Sequence, residues 1–125
     1  MTDQARFELT VIDGIPVIDA SGELDMTNVH DLESRLSEAA DLNSGVVVFS
    51  LAKVSYFDSR TIHAVAVTAG RLTKNRQQLA LVLPGLPSAR LIFQMTGLAS
   101  RLAVFEQRED ALVFARTNRV NPLDG

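Results

Sequence analysis

Four consecutive apolar residues, Val46-Val47-Val48-Phe49, carry no polar alternation and are rich in β-branched side chains. A run of that kind is a strand covered on both faces, so the chain must supply layers above and below it. Shortly after this run comes the stretch Lys53 to Thr73, KVSYFDSRTIHAVAVTAGRLT. From Ile62 onward its apolar residues, Ile62, Val65, Ala66, Ala69 and Leu72, recur at three- and four-residue spacing and predict one buried helical stripe. Asp58 and Ser59 then fall where the strand hands over to the helix, at its N-terminal lip.

The remaining chain alternates in the same way. Phe7, Leu9 and Val11 interleave with Glu8, Thr10 and Ile12 as a half-buried strand, and Asp13-Gly14 is a two-residue turn leading to a second arm from Ile15 to Ser21. Gly22-Glu23-Leu24-Asp25 ends that arm. Asn28 is expected to cap a helix with the stripe Val29, Leu32, Leu36, Ala39 and Ala40, stopping near Asn43-Ser44-Gly45. Leu79 to Leu83 predicts a buried strand, Ser88 to Gly97 a helix, Ala103 to Phe105 an edge strand and Glu109 to Ala115 a last helix. The expectation is an α/β fold with a single domain over residues 1–116. It has a mostly parallel mixed sheet of about five strands, an N-terminal hairpin and about four helices; residues 117–125 form a loose tail.

Composition removes several classes of function. The net charge of −3 is opposite to what general nucleic-acid or anionic-membrane binding needs, so neither is an expected partner. Cysteine is absent, which excludes disulfides, thiol catalysis and zinc-thiolate sites, and two histidines, His30 and His63, do not build a metal site by themselves. No cofactor is expected. The polar opening MTDQARFE does not read as a secretory signal, and no segment has membrane-spanning length, so a cytoplasmic location is expected.

The helix lip is the candidate site. Its first N–H groups lack intrahelical partners and carry partial positive charge, which favours a carboxylate or phosphate there. Asp and Ser are also ordinary capping residues, and both readings stand at this point. Three rivals fit parts of the chain: an esterase or phosphatase with Ser59 as nucleophile and His63 as base, a receiver domain phosphorylated on Asp58, and a nucleotide-binding domain. The first lacks a G-x-S-x-G elbow, the second an acidic pair after the first strand, and the third any glycine-rich phosphate loop.

Three motifs in order, Gly22-Glu23-Leu24-Asp25, Tyr56-Phe57-Asp58-Ser59 and Met95-Thr96-Gly97-Leu98, resemble the STAS family, the anti-sigma-factor antagonist domains of bacteria. The resemblance covers residues 6 to about 115 and implies a regulatory module without enzymatic activity. It implies an anti-sigma factor that is also a serine kinase as partner, and a phosphatase acting on the phosphorylated form. Phosphorylation falls by position on Ser59, breaking the contact. The expected contact set is Asp25, Met26, Asp58, Ser59, Arg60, Thr61, Ile62 and His63, with Ala64 and Val67 adding to the patch. Where the family commonly follows Asp-Ser with a small residue and Gly, this chain has Arg60 and Thr61, which puts bulk and positive charge beside the expected phosphoacceptor.

Overall fold

The computed structural model describes residues 5–42, 45–83 and 103–118. Strands β1 (Arg6–Ile12) and β2 (Ile15–Leu24) form the hairpin, and helix α1 (Val29–Ala40) leads to strand β3 (Val46–Phe57). Helix α2 (Ser59–Lys74), strands β4 (Gln78–Val82) and β5 (Ala103–Phe105) and helix α3 (Arg108–Thr117) complete the fold. The expected helix from Ser88 to Gly97, with the Met95-Thr96-Gly97-Leu98 motif, lies outside the described residues, which contain three helices.

The five strands lie in sequence order, β1-β2-β3-β4-β5; β1 is antiparallel to β2, and every later pairing is parallel. Asp13 and Gly14 both take positive φ, 53° and 79°, as the tight two-residue turn requires. Right-handed crossovers that step always in one direction place their helices on one face of the sheet. Accordingly α1 and α2 share a face. There Ile18, Val47, Phe49, Leu51, Leu79 and Leu81 meet Leu32 and Leu36 of α1 and Val65 and Leu72 of α2. Helix α3 follows the last strand, is free of that constraint and covers the opposite face, where Val17, Val46, Val48 and Val82 pack with Ala111, Leu112 and Ala115. The Val46–Phe49 run is thus buried from both sides, as its lack of alternation predicts.

Two ion pairs hold α3 in place. Arg108 donates from Nε and Nη2 to the two carboxylate oxygens of Asp19 on β2, at 3.0 and 2.9 Å, and this bidentate contact raises the arginine pKa further above its ordinary value. Arg116, near the other end of the helix, reaches Asp13 in the hairpin turn at 2.8 Å.

Strand β3 is longer than the apolar run that announces it. Beyond Ser50 it loses β4 as a neighbour and continues with β2 alone to Phe57. Its register with β2 slips twice, between Asp19 and Ser21 and between Gly22 and Glu23, and each slip places one extra residue on β3. Ser50, buried at the first slip, accepts a hydrogen bond from the Ala52 amide, and Ser55, at the second, donates to the Gly22 carbonyl at 3.2 Å. Gly22 itself has φ 84°. Slips of this kind break the two-residue period, which is why residues 51–57 do not read as a strand.

Phe49 is fully buried at the centre of the sheet. Phe49→Ala should lower unfolding free energy by about 3–5 kcal/mol in urea denaturation; a loss below about 1 kcal/mol would contradict this packing.

Candidate functional site

The parallel partners β2 and β3 end together, with Leu24 opposite Phe57. One residue further on, the Asp58 amide donates to the Leu24 carbonyl at 3.3 Å, and that same carbonyl accepts the Thr61 hydroxyl at 3.3 Å. The start of α2 is therefore bolted to the end of β2. Asp25 and Asp58, 33 residues apart in sequence, come to one rim because each directly follows a paired strand end.

Asp58 is the N-cap. Its backbone is extended (φ −110°, ψ −175°), and Oδ1 accepts from the amides of Arg60 and Thr61 at 3.0 and 3.2 Å. Ser59 is the first helical residue, is exposed, and makes no hydrogen bond to another described side chain. Its hydroxyl stands at the positively polarised end of a 16-residue helix, with the cap already supplied by its neighbour. Capping and an open hydroxyl are thus divided between adjacent residues.

On the β2 side, Asp25 Oδ1 accepts from the hydroxyl and the amide of Thr27, and these bonds, the hydroxyl's first, hold the Asp25 carboxyl below its ordinary value of 3.8. Asn28, expected to cap α1, makes no side-chain cap hydrogen bond. Its side chain instead turns back, accepting from the Asp25 amide at 3.1 Å and donating to the Glu23 carbonyl at 2.9 Å. Asn28 therefore pins the loop that carries Asp25 and Met26. An Asp-x-Thr-Asn sequence after a strand is a recognisable side-chain-to-backbone turn, and it could have revealed this role.

The other expected contact residues divide. Arg60 and His63 are exposed, Ile62 is half-buried, Met26 is 57% exposed and Val67 53% exposed. Thr61 does not face outward: it is 1% exposed, with its hydroxyl committed to Leu24. Ala64 is also 1% exposed, because α2 packs against both the sheet and α1 and buries a wider arc that includes Thr68. Tyr56, at 55% exposure on the extended end of β3, stands among the rim residues although periodicity did not mark it. Ser55 lies in that strand. No hydrogen bond joins Ser59 to His63, and no group of three or more His, Asp or Glu among the described residues is placed to hold a metal ion. No helix among the described residues is long and apolar enough to cross a membrane.

These features define a one-sheet α/β domain whose distinctive surface is a rim formed by two strand ends and one helix tip. The chain belongs to the STAS domain family, whose model matches residues 6–111. Among solved structures it is similar to an anti-sigma factor antagonist from Mycobacterium paratuberculosis, at 28% identity and TM-score 0.80, covering 91% of this chain and 96% of that one. The unphosphorylated form of the anti-sigma factor antagonist SpoIIAA matches at 21% identity and TM-score 0.70, over 90% of this chain and 98% of that one. The phosphorylated form of the Bacillus cell fate determinant SpoIIAA matches at 23% and 0.64, over 87% and 98%. No curated protein matches the chain.

Two measurements check the local chemistry. Asp58→Ala should cost about 0.5–2 kcal/mol in thermal or urea unfolding while Asp58→Asn keeps most of the stability, because Asn caps nearly as well; equal losses would show that the carboxylate acts otherwise. Since the folded value for Asp25 is depressed, its contribution to stability is present above pH 3.8 and is lost as pH falls through the lower folded value. In Thr27→Val, a carboxyl NMR titration should place Asp25 higher than in the wild type, and an unchanged midpoint would remove the hydroxyl as the cause.

Proposed function

We propose that the protein is an anti-sigma-factor antagonist: it binds an anti-sigma factor through the Ser59 rim, frees the sigma factor, and is switched off by phosphorylation of Ser59. The observation that carries this reading is the exposed Ser59 hydroxyl, without a side-chain hydrogen bond among the described residues, beside a neighbour that supplies the cap. Membership of the STAS family and the likeness to the Mycobacterium paratuberculosis antagonist support the partner class. The partner's kinase activity, and a phosphatase that reverses it, belong to the same proposal.

The contact surface in this reading is Asp25, Met26, Tyr56, Asp58, Ser59, Arg60, Ile62 and His63, with Val67 at its margin. Thr61 and Ala64 act from beneath it. Two apolar side chains, Met26 and Tyr56, give the surface area to bury, and the carboxylates set its sign. A phosphate adds roughly −1.5 to −2 charge and three strong acceptor oxygens. At the helix tip that charge is favourable to the helix, so the fold survives. At the contact it adds to Asp25 and Asp58, raises the negative potential and must be desolvated before a partner packs against it. Arg60, next in sequence and exposed, is a cation placed to offset it, so this copy should hold its phosphate in a less repulsive field than one with a small residue there.

Ser59→Ala should retain affinity for the anti-sigma factor and be insensitive to its kinase activity. Ser59→Glu should bind one to two tenfold steps more weakly, about 1.4–2.8 kcal/mol, in calorimetry. An acidic variant of full affinity contradicts the charge mechanism. A Ser59→Ala variant that still takes up phosphate places the modification elsewhere.

A further inference from the structure

The two edges of the sheet differ. Strand β5 is three residues long, a short edge that offers little to pair with. Strand β1 has seven residues, contains neither proline nor glycine, and keeps an unbroken register with β2 from Arg6↔Ser21 to Ile12↔Ile15. In an antiparallel ladder alternate residues exchange hydrogen bonds with the neighbouring strand, so every second residue of β1 directs its N–H and C=O away from β2. Proline, a bulge and extreme shortness, three devices that blunt an edge, are absent along it, and the charges it carries are of both signs.

Its side chains are self-complementary. Phe7 and Leu9 are half-buried against the α1 side of the sheet, while Arg6 and Glu8 are exposed on the other side, and no hydrogen bond or ion pair joins either of these charged residues to another described residue. Glu8 also lies near enough to Arg108 to favour the charged form of that arginine.

We propose that β1 pairs antiparallel with β1 of a second copy of this chain, about a two-fold axis at Phe7, joining two sheets into one of ten strands. A two-fold contact pairs each residue with its mirror position, and paired residues must point the same way, so the possible centres are single residues of β1. Centring on Glu8 would oppose two carboxylates, which is repulsive. Centring on Leu9 sets Glu8 against Thr10 and Arg6 against Ile12, leaving neither charge paired across the contact. Centring on Phe7 sets Arg6 against Glu8 of the second copy twice over, places the two Phe7 rings side by side, and brings Ala5 opposite Leu9. Charge therefore selects the register. Because β2 and β3 are fixed relative to β1, the two Ser59 rims then point in opposite directions and both stay open. Nothing in this pairing depends on the role of Ser59.

Sedimentation equilibrium of the purified chain across a wide concentration range tests it. The wild type should fit a monomer–dimer equilibrium that weakens as salt is raised. Arg6→Glu and Glu8→Arg, each alone, turn both attractive pairs into like-charge pairs and should raise the dimer dissociation constant by about tenfold or more. The double variant Arg6→Glu/Glu8→Arg restores opposite charges and should recover the dimer. Thermal melts near that of the wild type show that the variants remain folded. A wild type that is monomeric throughout overturns the proposal, as does a dimer indifferent to the single reversals or one that the double variant fails to recover.

Discussion

The parallel pairing of β2 with β3, carried past the end of β4, is the constraint on which the rest depends. It brings Leu24 and Phe57 level, and the Leu24 carbonyl then receives both the Asp58 amide and the Thr61 hydroxyl. Those two bonds fix where α2 begins and how it is rotated. They also explain why Thr61 is buried at the very start of a helix whose first residue is exposed to solvent. Had the strands ended at different heights, Asp25 and Asp58 would lie on separate surfaces.

Adjacent residues at this junction divide conflicting demands. A helix start needs an acceptor for its free amides, and the hydroxyl proposed as phosphoacceptor must be available to another molecule. Asp58 meets the first need with one carboxylate oxygen, so the Ser59 hydroxyl is not needed as the cap. On the opposing loop, Thr27 and Asn28 do for Asp25 what the helix does for Asp58, holding it through short-range bonds to its carboxylate and its amide. The rim is consequently formed by held backbone and exposed side chains. That combination is what the proposed switch requires: a definite shape for a partner, and a charge that a single added phosphate would change without loosening the fold.

Much of this was legible in the sequence. The unalternated Val46–Phe49 run announced a strand covered on both sides, the Asp13-Gly14 pair announced the hairpin, and the stripe through Val65, Ala69 and Leu72 placed α2 against the sheet. What escaped has specific physical causes. The two register slips scramble the burial pattern of residues 51–57, so the extended end of β3 and the exposed Tyr56 were hidden from any reading based on a period of two. Ala64 appeared to lie off the stripe because a single stripe describes a helix with one neighbour, and α2 has two. Asn28 fitted the composition of a cap, yet its bonds run backward to Glu23 and Asp25, a choice decided by the loop and not by the helix.

The most direct test of the central claim is amide hydrogen exchange on the chain alone and saturated with the proposed anti-sigma factor partner. The account predicts added protection concentrated at Asp25 to Thr27 and at Tyr56 to His63, with the α3 face unchanged. Protection confined to α3 or to β1, with the loop after β2 and the tip of α2 exchanging as in the free chain, would contradict it.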